Sequence, residues 1–213
     1  MKDFLKNALE PLSYLIYALS IFIIPGKNKR GKKVVLFFYY LLASILIGIA
    51  CYTPSNEVNR IIYNTFFFIT ISFFSYYFKC LLKGKWRIKT LAFLYGIHVI
   101  IFIKITLISH QLLLMNNYVY AFTYLSIVIY IFLYFIQMLN NVTEQNLLHQ
   151  FDFWLVSGYL VYFLSCFFII LFYENIDINQ RALAWSIQNF ILFISSIFTL
   201  SGSIWINSQK KYY

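Results

Sequence analysis

Residues 90–111, TLAFLYGIHVIIFIKITLISHQ, form the stretch that decides the fold. It is almost wholly apolar and long enough to cross a hydrocarbon core of about 30 Å as a helix, yet it carries His98 and Lys104. A lysine at membrane depth needs either an acidic partner or a route to the headgroups. We therefore expect this helix to belong to a bundle whose other helices supply polar partners.

Six further apolar stretches flank this one. Together they predict membrane helices at about residues 4–24, 34–52, 61–82, 90–111, 118–139, 153–173 and 182–207. The 213-residue chain is 62% hydrophobic and only 11% charged, about half the charge of a soluble domain. Seven such helices leave room only for short loops. The sequence predicts an all-α polytopic membrane protein, with residues 1–213 as a single seven-helix transmembrane domain.

The net charge of +10 indicates membrane topology rather than nucleic-acid binding, because the basic residues cluster in the short loops 27–33 and 79–89. With these loops inside, twelve of the 17 Lys and Arg residues lie on inner faces and four on outer faces. We predict a multi-pass protein of the cell inner (cytoplasmic) membrane, with its N-terminus out and its C-terminus in. The basic loops are expected to contact anionic lipid headgroups.

Polar residues within the apolar stretches predict a ligand or ion-pair cavity in the outer leaflet. Its candidate members are Glu10, Asn64, His98, Lys104, Gln188 and Asn189. Lys104 lies about 21 Å along its helix, which places it at a depth compatible with pairing to Glu10. Simpler roles stay open: Lys104 can snorkel to the surface, His98 can be a hydrogen-bonded packing residue, and the amides can join helices.

Two polar stripes follow helical spacing. In the seventh stretch the stripe comprises Trp185, Asn189, Ser196, Thr199 and Ser203, and we expect it to face the bundle interior. In the third stretch it comprises Thr65, Ser72, Tyr76 and Lys79. The sequence contains no HExxH, GxSxG, CxxC or P-loop motif, so we expect neither an enzyme nor a cofactor or metal.

Four stretches resemble a known family: FFYYLLASILIGIACY, IIYNTFFFITISFFSYYFKCLL, FWLVSGYLVYFLSCFFIILFYE and IQNFILFISSIFTLSGSIWINSQKKYY. Together they look like uncharacterised seven-helix proteins of Bacteroidota, and they cover most of the chain. The matching positions are Tyr63, Asn64, Phe153, Trp154, Gly158, Tyr162, Asn189, Trp205, Lys210 and Lys211. One departure is Ile45, where the family tends to place an acidic residue.

The resemblance implies signalling, through a likeness to the seven-helix sensor regions of bacterial histidine kinases. Our first hypothesis is therefore a non-enzymatic sensory module, with a sensor kinase or another membrane protein as partner. The alternative is an oligomeric channel or membrane-disrupting effector of a bacterial defence system, in which the polar stripes line a pore or an interface of a homo-oligomer. A lipid-modifying enzyme is the third and weakest hypothesis.

Overall fold

The structure is a computed structural model that describes residues 2–23, 30–52, 56–104, 117–140 and 150–209. Within these ranges the chain forms seven α-helices, one 3₁₀ turn at Tyr173–Asn175 and no strand. The helices are α1 Lys2–Ile23, α2 Arg30–Tyr52, α3 Asn56–Leu81, α4 Lys85–Ile103, α5 Asn117–Asn140, α6 Phe151–Leu171 and α7 Ile178–Gln209. The predicted all-α fold is confirmed for these ranges, whereas seven membrane crossings stay a prediction.

Five of the described helices, α3 to α7, are long and apolar enough to cross a membrane. The apolar parts of α1 and α2 are shorter and comprise Ala8–Ile23 and Val35–Ala50. Each of these parts measures roughly 24 Å as a helix, somewhat less than a hydrocarbon core of about 30 Å. The apolar helices indicate a membrane protein.

Several helices begin earlier than hydropathy predicts. Helix α3 begins at Asn56 rather than at residue 61, and α4 begins at Lys85 rather than at residue 90. The added turns are rich in charged and amide side chains, which are compatible with a helix and can reach the headgroup region. The predicted end of the fourth helix, at residue 111, lies outside the described residues.

The chain divides into two compact units. Unit 1 comprises Met1–Tyr52, Glu144–Tyr162 and Asn179–Tyr213, and unit 2 comprises Thr53–Thr143 and Phe163–Ile178. Helix α6 therefore contributes its first half to unit 1 and its second half to unit 2. The single membrane domain that the sequence predicts stays a prediction.

In unit 1, α1 and α2 pack as an antiparallel pair. The rings of Tyr17 and Tyr40 stack with centroids 4.8 Å apart and planes 10° apart. A second contact lies six residues earlier in α1 and four residues later in α2, where Ser44 Oγ donates to the backbone oxygen of Pro11 at 3.0 Å. Because α1 positions decrease as α2 positions increase, the two helices run in opposite directions.

Small residues bring α6 and α7 close together in unit 1. Ser195 Oγ donates to the backbone oxygen of Gly158 at 2.5 Å. That hydroxyl hydrogen is therefore used, so the 2.5 Å bond between Tyr17 and Ser195 has the tyrosine as its donor. Further along, the indole of Trp154 occupies the space that a side chain at Gly202 would fill. Close approach through small residues is typical of helix pairs in membranes.

In unit 2, α3 and α5 run parallel to each other. The Tyr120 hydroxyl donates to Asn64 Oδ1 at one end of the pair. At the other end, Gln137 Nε2 donates to the backbone oxygen of Leu81 at 3.0 Å. Both contacts join positions about 56 residues apart in sequence, so the register is constant along the pair.

Helix α4 runs antiparallel to both α3 and α5. Ser72 and Tyr95 share a hydrogen bond of 3.3 Å, while the rings of Phe68 and Phe102 stack with centroids 4.1 Å apart. On the other side, the Tyr130 hydroxyl contacts the backbone oxygen of α4 at residue 91, at 3.3 Å. The three helices alternate in direction, as successive membrane crossings must.

The turn between α3 and α4 is held by Gln137 of α5. Its amide nitrogen donates to Leu81 O, and its Oε1 accepts a hydrogen bond from the backbone N–H of Lys83. Gly84 then begins α4 with φ 100°, a left-handed conformation that favours glycine. One side chain thus satisfies two backbone groups where the helix ladder is interrupted.

We expect Gln137→Leu to lower the free energy of unfolding by about 1–2 kcal/mol, because it leaves a backbone donor and a backbone acceptor unpaired. Reversible unfolding in mixed micelles measures the change. Leu139→Ala is a matched control on the same helix, since Leu139 is 70% exposed and its truncation should cost less than about 0.5 kcal/mol. A loss for Gln137→Leu no greater than that of the control would contradict the assigned role.

Candidate functional site

Two of the predicted site residues, Asn64 of α3 and His98 of α4, line the same cavity in unit 2. The cavity has a volume of ≈ 30 Å³ and lies among α3, α4 and α5. Its lining comprises Asn64, Phe67, Phe68, Ile71, His98, Ile101, Phe102, Val119, Tyr120 and Thr123. The lining is mainly apolar, with a few polar groups placed on different helices, as in many small-molecule sites.

His98 is the most informative member of the lining. Its side chain is only 4% exposed, and Nδ1 lies 2.8 Å from the backbone oxygen of Leu94, one turn earlier in α4. A carbonyl oxygen only accepts hydrogen bonds, so Nδ1 carries the hydrogen. In the neutral ring Nε2 is then an acceptor, and this atom is buried with no hydrogen-bond partner. Buried acceptors are usually hydrogen-bonded, so a ligand with a hydrogen-bond donor would satisfy this atom.

The position of the His98 ring is fixed by two contacts. The hydrogen bond to Leu94 holds one edge of the ring against its own helix. Phe122 of α5 stacks on one face, with centroids 4.7 Å apart and planes 14° apart. Since Nδ1 faces its own helix, Nε2 lies on the far side of the imidazole.

Asn64 is held by the tyrosine opposite. Tyr120 donates its hydroxyl hydrogen to Asn64 Oδ1, and its ring stacks on Phe67 with centroids 4.0 Å apart. Thr123, one turn further along α5, donates its own hydroxyl hydrogen to Val119 O at 2.9 Å. Both hydroxyl hydrogens in the lining are therefore used within the protein.

The remaining buried site residues lie in unit 1. Glu10 of α1 is 4% exposed, and Gln188 and Asn189 of α7 are 3% and 2% exposed. One carboxyl oxygen of Glu10, Oε2, is buried and makes no hydrogen bond. A carboxyl in that position is costly and indicates either a protonated acid or a bound partner.

Lys104, at the end of the described part of α4, is exposed. It does not line the cavity that contains Asn64 and His98. Because Glu10 belongs to unit 1 and Lys104 to unit 2, the predicted ion pair between them stays a prediction.

The two polar stripes have different environments. In α7, Asn189, Ser196, Thr199 and Ser203 are buried and face the interior as predicted, while Trp185, the fifth member of the stripe, is half-buried. In α3, Thr65, Tyr76 and Lys79 are exposed, while Ser72 bonds to Tyr95. The α3 stripe therefore lies largely on the outer surface of its unit.

Tyr120 and Thr123 are site residues that sequence analysis missed. Both lie in α5, a stretch so rich in tyrosine and aliphatic residues that no polar position stands out. The spacing of three residues between them was the available signal, because it places both on one helix face. Among the described residues, no three His, Cys, Asp or Glu side chains form a group that could hold a metal ion.

No protein-family model, curated protein or solved structure matches the sequence. The resemblance to seven-helix proteins of Bacteroidota consequently stays an expectation.

Proposed function

We propose that the protein is a non-enzymatic sensor of the cell inner membrane that binds a small molecule in the α3–α4–α5 cavity. The observation that carries the proposal is the acceptor nitrogen of His98, buried without a hydrogen-bond partner in the cavity lining. A group of this kind costs free energy unless a ligand satisfies it. A binding role explains why the residue is placed there at all.

The weak packing of α4 supports a sensory rather than a purely structural role. In the most apolar 18-residue segment of α4 only 11% of the residues are buried, whereas 61% are buried in the corresponding segment of α5. A ligand that contacts His98 therefore touches the helix with the fewest buried residues of the three. Such an element can change position at low cost and pass the change to a membrane partner such as a sensor kinase.

The proposal includes seven membrane crossings with the N-terminus out. The turn between α3 and α4 supports this arrangement, since Lys79, Lys83, Lys85 and Lys89 are exposed there. Trp86, 55% exposed, stands beside Arg87, whose guanidinium carbon lies 5.2 Å from the indole centroid. Exposed lysines together with tryptophan are typical of the inner interface, where they contact anionic headgroups.

We expect single cysteines at Asn56 and Tyr213 to be labelled from opposite sides of the membrane. In a variant lacking the three native cysteines, a membrane-impermeant maleimide applied to whole cells should reach position 56 and not position 213. Labelling of position 213 alone would reverse the topology and exclude the proposed orientation. Labelling of both positions would exclude seven crossings.

The sensory role itself is tested by ligand-dependent stabilisation. Purified protein in nanodiscs is screened against small neutral molecules for a saturable rise in melting temperature. Thr123→Phe, which fills the cavity, is expected to abolish the response. Absence of any saturable ligand, or a response that Thr123→Phe leaves unchanged, would contradict a binding role for this cavity.

An oligomeric channel is the second candidate function, and the exposed polar stripe of α3 is the observation that favours it. Polar groups on a lipid-facing surface are expected to seek partners, and a second copy of the chain can supply them. Liposome flux assays separate the two candidates. Ion flux that depends on Thr65 and is lost in Thr65→Leu would favour the channel over the sensor.

A further inference from the structure

We propose that the ligand of the α3–α4–α5 cavity is a neutral, mainly apolar alcohol whose hydroxyl group donates a hydrogen bond to His98 Nε2. This inference rests on the proposed function, since it names the class of ligand for the same cavity. Three features of the lining lead to it: the direction of the hydrogen bonds, the absence of charge, and the size of the space.

The hydrogen-bond directions require the ligand to be a donor. His98 Nδ1–H is bound to Leu94 O, which leaves Nε2 as an acceptor. The hydroxyl hydrogen of Tyr120 is bound to Asn64, and that of Thr123 to Val119. His98 Nε2 and both hydroxyl oxygens thus present lone pairs to a ligand, while the side-chain amide nitrogen of Asn64 is the one polar group of the lining that carries further hydrogens.

The lining also excludes a charged ligand. None of its ten residues is Asp, Glu, Lys or Arg, and six are Phe, Ile or Val. An ammonium ion would lose its hydration without gaining a counter-charge, which costs far more than one hydrogen bond returns. A carboxylate would be repelled by the lone pair of His98 Nε2, and the nearby charge of Arg60 acts on Tyr120 rather than on His98. A neutral O–H group satisfies Nε2 without either penalty.

The enclosed space of the cavity is small. Its volume of ≈ 30 Å³ exceeds the roughly 10–15 Å³ that one water molecule requires, so it has room for a hydroxyl group and little more. The stacked pairs Phe67–Tyr120 and Phe68–Phe102 form walls of the cavity. These rings offer apolar surface to the carbon chain of an alcohol whose hydroxyl group occupies the inner space.

A bound water is the simplest competing occupant. A buried water usually makes about three hydrogen bonds. Here a water can donate one hydrogen to His98 Nε2, and the hydroxyl oxygens of Tyr120 and Thr123 are the remaining acceptors for its second hydrogen. An alcohol replaces that second hydrogen with carbon, so its apolar part contacts Phe68 and Phe102 favourably.

The test compares two isomers that differ in the hydroxyl hydrogen, 1-hexanol and ethyl butyl ether. The full-length protein is prepared in nanodiscs with ¹⁵N-labelled histidine, and both compounds are titrated while the Nε2 resonance of His98 is followed. We expect 1-hexanol to bind saturably and to move this resonance towards that of a protonated imidazole nitrogen. The ether, which cannot donate, should bind about tenfold more weakly and leave the resonance in place.

His98→Phe is the matched variant, and His149→Gln is a control histidine in the segment before α6. We expect His98→Phe to remove the preference for the alcohol over the ether and His149→Gln to retain it. If His98→Phe fails to fold, the inference is tested by the titration of the His98 Nε2 resonance in the wild-type protein. Its assignment then comes from comparison with His149→Gln and His110→Gln.

The outcomes separate this inference from the proposed function. If both isomers bind saturably and equally and the Nε2 resonance does not move, the ligand need not be an alcohol. The cavity would then still be a binding site. A resonance that is already hydrogen-bonded without ligand and stays fixed on titration would assign the space to water and overturn the inference. If no compound in the wider screen stabilises the protein, the proposed function fails as well.

Discussion

Gly202→Ala is expected to lower the free energy of unfolding by about 1–3 kcal/mol, although it adds a single methyl group. A Cβ at this position would lie 2.8 Å from Trp154 Cβ and closer still to the indole ring. The indole also packs against Phe198, with centroids 5.0 Å apart, so it cannot turn away without losing that contact. Helix α7 must then move away from α6, or Trp154 must leave its position.

Two helical glycines with open space around them, Gly48 and Gly96, provide a control for this prediction. A Cβ at Gly48 or Gly96 would meet nothing within 4 Å. Gly48→Ala and Gly96→Ala should therefore raise stability, by up to about 1 kcal/mol, because alanine favours the helix. Unfolding of all three variants is compared in the same micelles. If Gly202→Ala is as stable as the controls, α6 and α7 are not packed through Trp154.

Glu10→Leu is expected to raise the free energy of unfolding by about 1–3 kcal/mol. The carboxyl group is buried, and its Oε2 makes no hydrogen bond, so folding removes a polar group from water without compensation. Leucine has a similar volume and no polar atom to satisfy.

Glu57→Leu serves as the matched control, since Glu57 is exposed in the first turn of α3. It should change stability by less than about 1 kcal/mol, and in the unfavourable direction, because it removes a favourable charge at a helix N-terminus. A marked loss of stability for Glu10→Leu would instead support the ion pair with Lys104. In that case Lys104→Met combined with Glu10→Leu should be milder than either change alone, which a double-mutant cycle would show.

Hydropathy was sufficient to predict a helix in each of the seven apolar stretches, because the polar breaks between them are short, but of the described helices only α3 to α7 are long and apolar enough to cross a membrane. It could not predict where α3 and α4 begin. Asn56 and Lys85 are polar, and hydropathy does not distinguish a polar helical turn from a loop. The first turns of α3 and α4 are helical because their backbone groups form the hydrogen bonds of a helix. Whether they do so depends on the helix propensity of the residues rather than on their hydrophobicity.

The candidate site was predictable only in part. Asn64 and His98 stood out as polar residues in apolar helices, but whether they meet depends on the register between α3 and α4. That register is set by contacts such as Ser72 with Tyr95 and Phe68 with Phe102. A single sequence contains no direct record of such pairings. Gly202 was overlooked for a similar reason, since its importance comes from the indole that faces it.

The hydrogen bonds of Gln137 have a mechanical consequence for the cavity. They anchor the turn at Leu81 and Lys83, so the start of α4 is a fixed pivot. His98 lies 13 residues beyond Lys85, about 20 Å along the helix. A tilt of about 6° around that pivot displaces the imidazole by roughly 2 Å, more than the tolerance of a hydrogen bond. A small tilt of α4 about the turn that Gln137 holds is therefore enough to make or break a hydrogen bond at His98 Nε2.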